Sequence, residues 1–270
     1  MFKDITFGQF FPGDSVIHRL DPKTKILITI AFIVILFVPQ NIFGYLILGI
    51  FLFSSIFASK IPIKLVLKSV RPLLIIIVLT SILNLFYTQG EPLFEPIKFW
   101  FITISISLNG IKVTVFMILR IMFLIMGTSM LTYTTSPIVL TDGIESLLSP
   151  LKKIHIPVHE FSMMMTIALR FIPTLIEETE KIINAQKARG ADFSSGGLIK
   201  RAKSLIPILV PLFVSAFRRA DELAVAMECR CYRGDFNRTK FKIYKFSSID
   251  FYAFFITVIV FGIVIILNFI

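Results

Sequence analysis

Residues 26–58 are apolar almost without interruption, a run of 33 broken only by Pro39-Gln40-Asn41. As one helix the run would extend about 50 Å, well past a hydrocarbon core of about 30 Å. The pattern therefore predicts two short spans joined by a tight turn at the break. Residues 73–87 read as a third span and residues 101–131 as a fourth, and the uncharged stretch 251–270 forms a fifth. Two more apolar runs, 161–176 and 205–217, could cross or lie along the membrane, and the second holds Pro207 and Pro211. No segment alternates with the period of a strand and no unit repeats at a fixed period. The expectation is an all-α integral membrane protein with about five transmembrane helices.

Basic residues decide between the two readings of the ambiguous runs. If both crossed, Lys181, Lys187, Arg189, Lys200, Arg201 and Lys203 would face outside, against the tendency of Lys and Arg to stay on the cytoplasmic side. If neither crosses, the order is consistent. Lys60, Lys64, Lys68 and Arg71 fall inside, the turn at Pro39 has no basic residue, and the loop 88–100 has only Lys98. Residues 1–134 are then an N-terminal segment with four spans, 135–245 a cytoplasmic region, and 246–270 the last span. The N-terminus is expected in the cytoplasm of a bacterial cell and the C-terminus outside. Residues 137–245 carry 17 Lys+Arg against 11 Asp+Glu, and helices so apolar, charged mainly at their ends, are expected along the membrane face or on the ends of the spans.

Composition agrees with this division. The chain is 56% hydrophobic and only 17% charged, with a mean hydropathy of +0.84, which excludes an ordinary water-soluble globule. The first 25 residues hold Lys3, Asp4, Asp14, Arg19, Asp21, Lys23 and Lys25 with no long apolar core, so they do not read as a cleavable signal peptide. Local signals mark helix boundaries. Asp21-Pro22 and Ser136-Pro137 each pair a capping residue with a proline at the first helical position. Asp142 and Glu145 have capping-box spacing, Pro12-Gly13 suggests a turn, and Pro150 and Pro157 bracket a break.

Much familiar chemistry is missing from the sequence. No phosphate-cradling Gly-Lys-Ser or Gly-Lys-Thr loop occurs, so ATP binding by the usual motor fold is not expected. His155 and His159 stand four apart but are separated by Pro157 and lack a third ligand, so no metal site and no cofactor is expected. Cys229 and Cys231 are too close and isolated for a zinc ribbon, and read instead as small, partly buried residues beside Arg230. The basic region lacks interleaved aromatics and is tied to a membrane. That disfavours nucleic acid and favours anionic lipid or an acidic protein partner. Lys112 and Arg120 lie within the fourth apolar stretch; the plain reading is that Lys112 snorkels and Arg120 pairs with a neighbouring helix end.

Two short motifs carry the functional argument. Ala188-Arg189-Gly190 and Cys229-Arg230-Cys231 each set an arginine between small residues at the end of a charged helix, 41 residues apart. Small flanks let a helix end approach a partner backbone, where a guanidinium forks onto a carboxylate or carbonyls. A basic residue before glycine is also an ordinary helix C-terminus. Recurrence of the device in a chain with no motor of its own suggests a partner with two subunits.

The N-terminal stretch Gly8-Gln9-Phe10-Phe11-Pro12-Gly13-Asp14-Ser15 is followed by His18-Arg19-Leu20-Asp21-Pro22-Lys23-Thr24-Lys25. Further on come Thr134-Thr135-Ser136-Pro137, Leu169-Arg170-Phe171-Ile172-Pro173 and Ala185-Gln186-Lys187-Ala188-Arg189-Gly190-Ala191-Asp192. Last are Ala226-Met227-Glu228-Cys229-Arg230-Cys231-Tyr232-Arg233-Gly234 and Arg238-Thr239. In this order, from residue 8 to about 240, the chain resembles the transmembrane T component (EcfT) of energy-coupling factor transporters. The resemblance implies a non-catalytic subunit whose Arg189 and Arg230 each end a coupling helix docked in a groove of one of two ABC-type ATPases, EcfA and EcfA′. It also implies that apolar helix surfaces hold and reorient a separate substrate-binding S component that carries a vitamin or similar micronutrient across the bilayer. Met163, Met164 and Met165 suit a surface that repacks against different partners. Pro12, Gly13, His18, Asp21, Pro22, Arg170 and Pro173 read as structural; the N-terminal group would anchor against the coupling region, and Arg170 would pair with Glu177 or another acid. The competing readings are an autonomous channel or secondary transporter, which needs a polar midplane site, and a membrane-embedded enzyme, which needs clustered Asp, Glu or His.

Overall fold

A computed structural model describes residues 10–88, 97–99, 102–104, 107–154, 156–191, 193, 197–234 and 246–269. Gly8-Gln9, His155, Asp192 and Arg238-Thr239 lie outside them. The described residues form two compact units, one within 7–146 together with 243–270, the other within 147–242.

In the first unit α1 (Pro22–Ile35) starts where Asp21 accepts the Lys23 N–H at 2.9 Å and Pro22 fills the first position. It gives way to turn residues before Pro39, and α2 (Ile42–Ser59) follows, ending at Lys60 in the left-handed region. Next come α3 (Ile63–Val70), a 3₁₀ turn (Arg71–Leu73) and α4 (Leu74–Tyr87). Lys64, Lys68 and Arg71 therefore lie in helical backbone that begins ahead of residue 73, where the third span was expected to start. The fourth expected span also starts later than residue 101. Ile97–Phe99 (β1) pairs antiparallel with Ile102–Ile104 (β2), and α5 (Leu108–Thr134) begins where Ser107 accepts the Gly110 N–H. This hairpin is the one exception among the described residues to the all-helical expectation. Its Ile-Thr-Ile run is β-branched throughout, which suits a strand better than a helix.

Ser136-Pro137 opens α6 (Pro137–Leu148) as expected, whereas Asp142 and Glu145 fall inside that helix and do not start one. The last helix, α9 (Ser248–Phe269), belongs to the same unit. α5 is the central helix and packs against α1, α2, α3 and α4, while α9 lies against α1 and α2. Tyr45, Leu48, Ile56, Val66, Met126 and Val264 are fully buried in this core. At Gly127 the backbone of α5 comes so close to α1 that an added Cβ would lie 2.6 Å from Phe32 Cε1.

Among the described residues, four helical segments are long and apolar enough to cross a membrane: Ile42–Ser59, Ile63–Leu85, Leu108–Thr134 and Ser248–Asn268. The expected fifth, α1, has 14 residues and rises only about 21 Å. The chain from Asp21 through α1 to Gln40 nevertheless runs beside α9 from one end to the other. Asp21 N–H donates to Asp250 Oδ1 at 2.7 Å at one end, and Gln40 N–H donates to Asn268 Oδ1 at 3.1 Å at the other.

The second unit consists of a 3₁₀ turn (Ser149–Ile154) and two long helices, α7 (Val158–Ala188) and α8 (Leu198–Cys229). Each runs far beyond its apolar core. α7 continues into Glu177, Glu178, Glu180 and Lys181, and α8 into Arg218, Arg219, Asp221 and Glu222. The helices are antiparallel: Glu178 meets Arg219 at 3.3 Å, and Gln186 reaches Pro207 at 3.3 Å.

Candidate functional site: two arginine-capped helix ends

The two arginine motifs end α7 and α8 with the same backbone geometry. At the first, the Ala191 N–H donates to Gln186 O at 3.0 Å and the Gly190 N–H to Lys187 O at 2.9 Å. At the second, the Tyr232 N–H donates to Met227 O at 3.0 Å and the Cys231 N–H to Glu228 O at 2.8 Å. Both are Schellman caps, with Arg189 and Arg230 as the cap residues and the next residue left-handed. Gly190 adopts φ 85 at no steric cost, whereas Cys231 adopts φ 55 with a side chain.

Both arginines are exposed, and so are Ala188, Gly190, Cys229 and Cys231. The cysteines are free thiols, so the expectation that they are partly buried is corrected.

Arg189 lies eleven residues past Glu178 and Arg230 eleven past Arg219. With 1.5 Å of rise per residue, each arm is about 17 Å long. Because the helices are antiparallel the arms point in opposite directions, so the two arginines lie on the order of 30 Å apart. Pro173 lies inside α7, and Pro207 and Pro211 inside α8. Pro211 has no N–H to give the carbonyl of Pro207, four residues earlier. Gln186 Nε2 donates to that carbonyl from α7.

The N-terminal signature forms a second cluster. His18 Nε2 reaches Phe11 O at 3.0 Å and Nδ1 reaches Ser15 Oγ at 2.7 Å. Since a carbonyl only accepts, Nε2 carries the proton there. The Phe11 N–H donates to Tyr133 O at 2.9 Å. Lys25 Nζ donates to His18 O, Thr134 O and Thr135 Oγ1 at 3.1, 3.0 and 3.3 Å. Asp250 is fully buried and accepts from the Asp21 N–H through Oδ1 and from the Ser247 N–H through Oδ2. The signature thus ties the N-terminal segment to the end of α5 and the start of α9, and it also meets the first part of the expected coupling region, where Lys25 reaches Thr135 and Pro22 packs against Gly143 of α6.

Pro12 and Gly13 are exposed, and the turn in this segment falls at Val16–Arg19 and not at Pro12-Gly13. Lys25 and Asp250 escaped the sequence reading as partners. The available signal was an aspartate three residues after Ser247, which suits a helix start, and a lysine set against the edge of an apolar run.

Arg120 pairs with a helix end, as read from the sequence. Its Nε donates to Leu36 O at 3.2 Å, where α1 stops, and Nε and Nη2 reach Tyr45 Oη at 3.1 and 2.9 Å. Lys112 is exposed, with Nζ 5.8 Å from the Phe116 ring centre. Arg170 is exposed and has no carboxylate partner among the described residues. Glu177 lies seven residues on, about 10 Å along the helix, and it is Glu178 that pairs, with Arg219. His159 is buried near the start of α7.

A family model described as cobalt transport protein (CbiQ) matches residues 13–242. The energy-coupling factor transporter transmembrane protein EcfT of Thermosediminibacter oceani is 55% identical over 257 residues, 94% of each chain. The protein of the same name from Ruminiclostridium cellulolyticum is 52% identical over 259 residues, 96% of this chain and 95% of its own. That of Bacillus subtilis is 45% identical over 242 residues, 90% of each. Matched over nearly its whole length to proteins of this one description, the chain belongs to the EcfT family, the transmembrane proteins of energy-coupling factor transporters.

Proposed function

We propose that this chain couples the ATP-driven movement of two ABC-type ATPases to a separate substrate-binding S component, itself catalysing nothing. The observation that carries the reading is the pair of matched helix ends. Each presents an exposed arginine at a Schellman cap, and antiparallel packing directs the two in opposite directions. Such an end suits a groove that offers carboxylates or carbonyls, because the planar guanidinium makes two parallel bonds and the short flanks allow close approach.

The other partner is suggested by uncovered apolar surface. Phe161, Met164 and Met165 on α7 and Phe213, Val214 and Phe217 on α8 are each more than half exposed. Apolar surface of that extent suits a protein or lipid cover. A shape-adaptable methionine surface fits an S component carrying a vitamin or similar micronutrient. In this reading the N-terminus and residues 135–245 face the cytoplasm, where the ATPases work, and the C-terminus faces outside.

The test is charge reversal. Arg189→Glu or Arg230→Glu should each weaken ATPase retention on the tagged chain, since reversing one partner of a buried ionic contact costs about 2–5 kcal/mol. Membrane insertion should be unchanged because both side chains are exposed. If both variants keep the ATPases and support full uptake, the arginines do not couple.

A further inference from the structure

An ion pair and a hydrogen bond tie α7 to α8 outside the arginine motifs. Glu178 and Arg219 form an ion pair at 3.3 Å with side chains 26% and 34% exposed. Gln186 Nε2 donates to the carbonyl that Pro211 leaves without an in-helix donor. The attachment points are eight residues apart on α7 and twelve on α8, or about 12 and 18 Å.

One tether between two rods would fix a distance and still permit pivoting and sliding. Two separated tethers fix register and crossing angle together. Apolar burial on this part of α8 is narrow: Ile208 is buried, whereas Leu205, Ile206, Leu209, Val210, Phe213 and Val214 are all exposed.

We infer that Glu178, Arg219 and Gln186 are positioning residues that lock α7 and α8 into one lever, so that displacement at Arg189 or Arg230 moves both helices instead of sliding one along the other. The inference rests on the coupling reading for its consequence, but its structural content can be tested separately. Gln186 also accepts the Ala191 N–H through its backbone carbonyl. The tether at Pro207 therefore acts on the same residue that closes the Arg189 cap.

The experiment measures a distance within the assembled complex. Nitroxide labels are placed at Asn184→Cys and Val225→Cys, both exposed positions, with Cys229→Ser and Cys231→Gly removing the native thiols. The parent should give one narrow distance distribution by pulsed electron resonance. Glu178→Arg or Arg219→Glu should each widen it at least twofold, and the swap Glu178→Arg/Arg219→Glu should restore the parent width, which a loss of fold could not do. Gln186→Leu should widen it as well. Pro211→Ala gives the Pro207 carbonyl its own N–H; if that change cures Gln186→Leu, Gln186 merely satisfies a carbonyl and does not tether. Parent-like widths in both single charge variants, or failure of the swap to restore the width, would overturn the inference while the ATPases stay bound. Failure of the coupling reading would show separately, as indifference of ATPase retention to Arg189→Glu and Arg230→Glu.

Discussion

Asp250 shows how much one buried carboxylate can organise. It stands at the N-termini of α1 and α9 and accepts one backbone N–H from each side, with Lys25 supplying positive charge nearby. A carboxylate at a helix N-terminus is favoured by the unpaired N–H groups and the dipole. Asp250→Asn keeps the shape but leaves one acceptor for two donors, and an unsatisfied buried donor costs about 1–3 kcal/mol. The purified protein should therefore inactivate at a lower temperature in detergent; an unchanged melting profile would show that the second bond contributes nothing. At this scale the sequence was readable wherever a residue acts on its own neighbours, as Asp21 and Ser136 do. It was unreadable where the partner lies far along the chain. Asp250 meets Asp21 across 229 residues, and no local spacing signals that contact. Arg170 was expected to pair with Glu177 or another acid, whereas Glu178 pairs with Arg219 on the neighbouring helix.

Among the elements, α1 is the one that departs most from an ideal span. It stops at Ile35, yet the chain continues beside α9 as far as Gln40. Within a bilayer, irregular backbone is tolerated only where protein satisfies its polar groups. Arg120 serves the Leu36 carbonyl at that break and is held by Tyr45, which gives the charge in α5 a structural task. Arg120→Leu should cost about 1.5–3 kcal/mol, the range for hydrogen bonds to charged groups, read as a lower thermal midpoint of the purified chain. An Arg120→Lys variant should recover only part of the loss, because a single ammonium cannot reproduce the forked contact. Apolar runs located α2 and α9 to within a few residues. They misplaced the start of α5, because the strand-forming residues 102–104 are as hydrophobic as a span, and they missed α3, which precedes the span expected from residue 73.

For the whole molecule, the apolar stretches of α7 and α8 and the charged ends beyond them were legible from the apolar runs and the placement of Lys and Arg. The antiparallel register of α7 and α8 was not, since it depends on one ion pair and one proline-orphaned carbonyl. Sidedness can be tested with the native thiols, Cys229 and Cys231, both exposed and the only cysteines in the chain. A membrane-impermeant maleimide should label them in inverted vesicles stripped of peripheral proteins and leave them unlabelled in intact cells. Labelling of intact cells would place the end of α8 outside and remove it from the reach of any cytoplasmic ATPase.

The Glu178–Arg219 pair also lies midway between the two arginines, with eleven residues from each partner to its arginine. A beam held at its midpoint has no mechanical advantage: the stroke at one end equals the stroke at the other. Pushes of equal size in the same direction carry such a beam along without turning it, and pushes in opposite directions turn it without carrying it. The geometry therefore separates the sum of two movements from their difference. Moving the ion pair one helical turn toward either arginine would mix the two, lengthening one arm and shortening the other by about 5 Å.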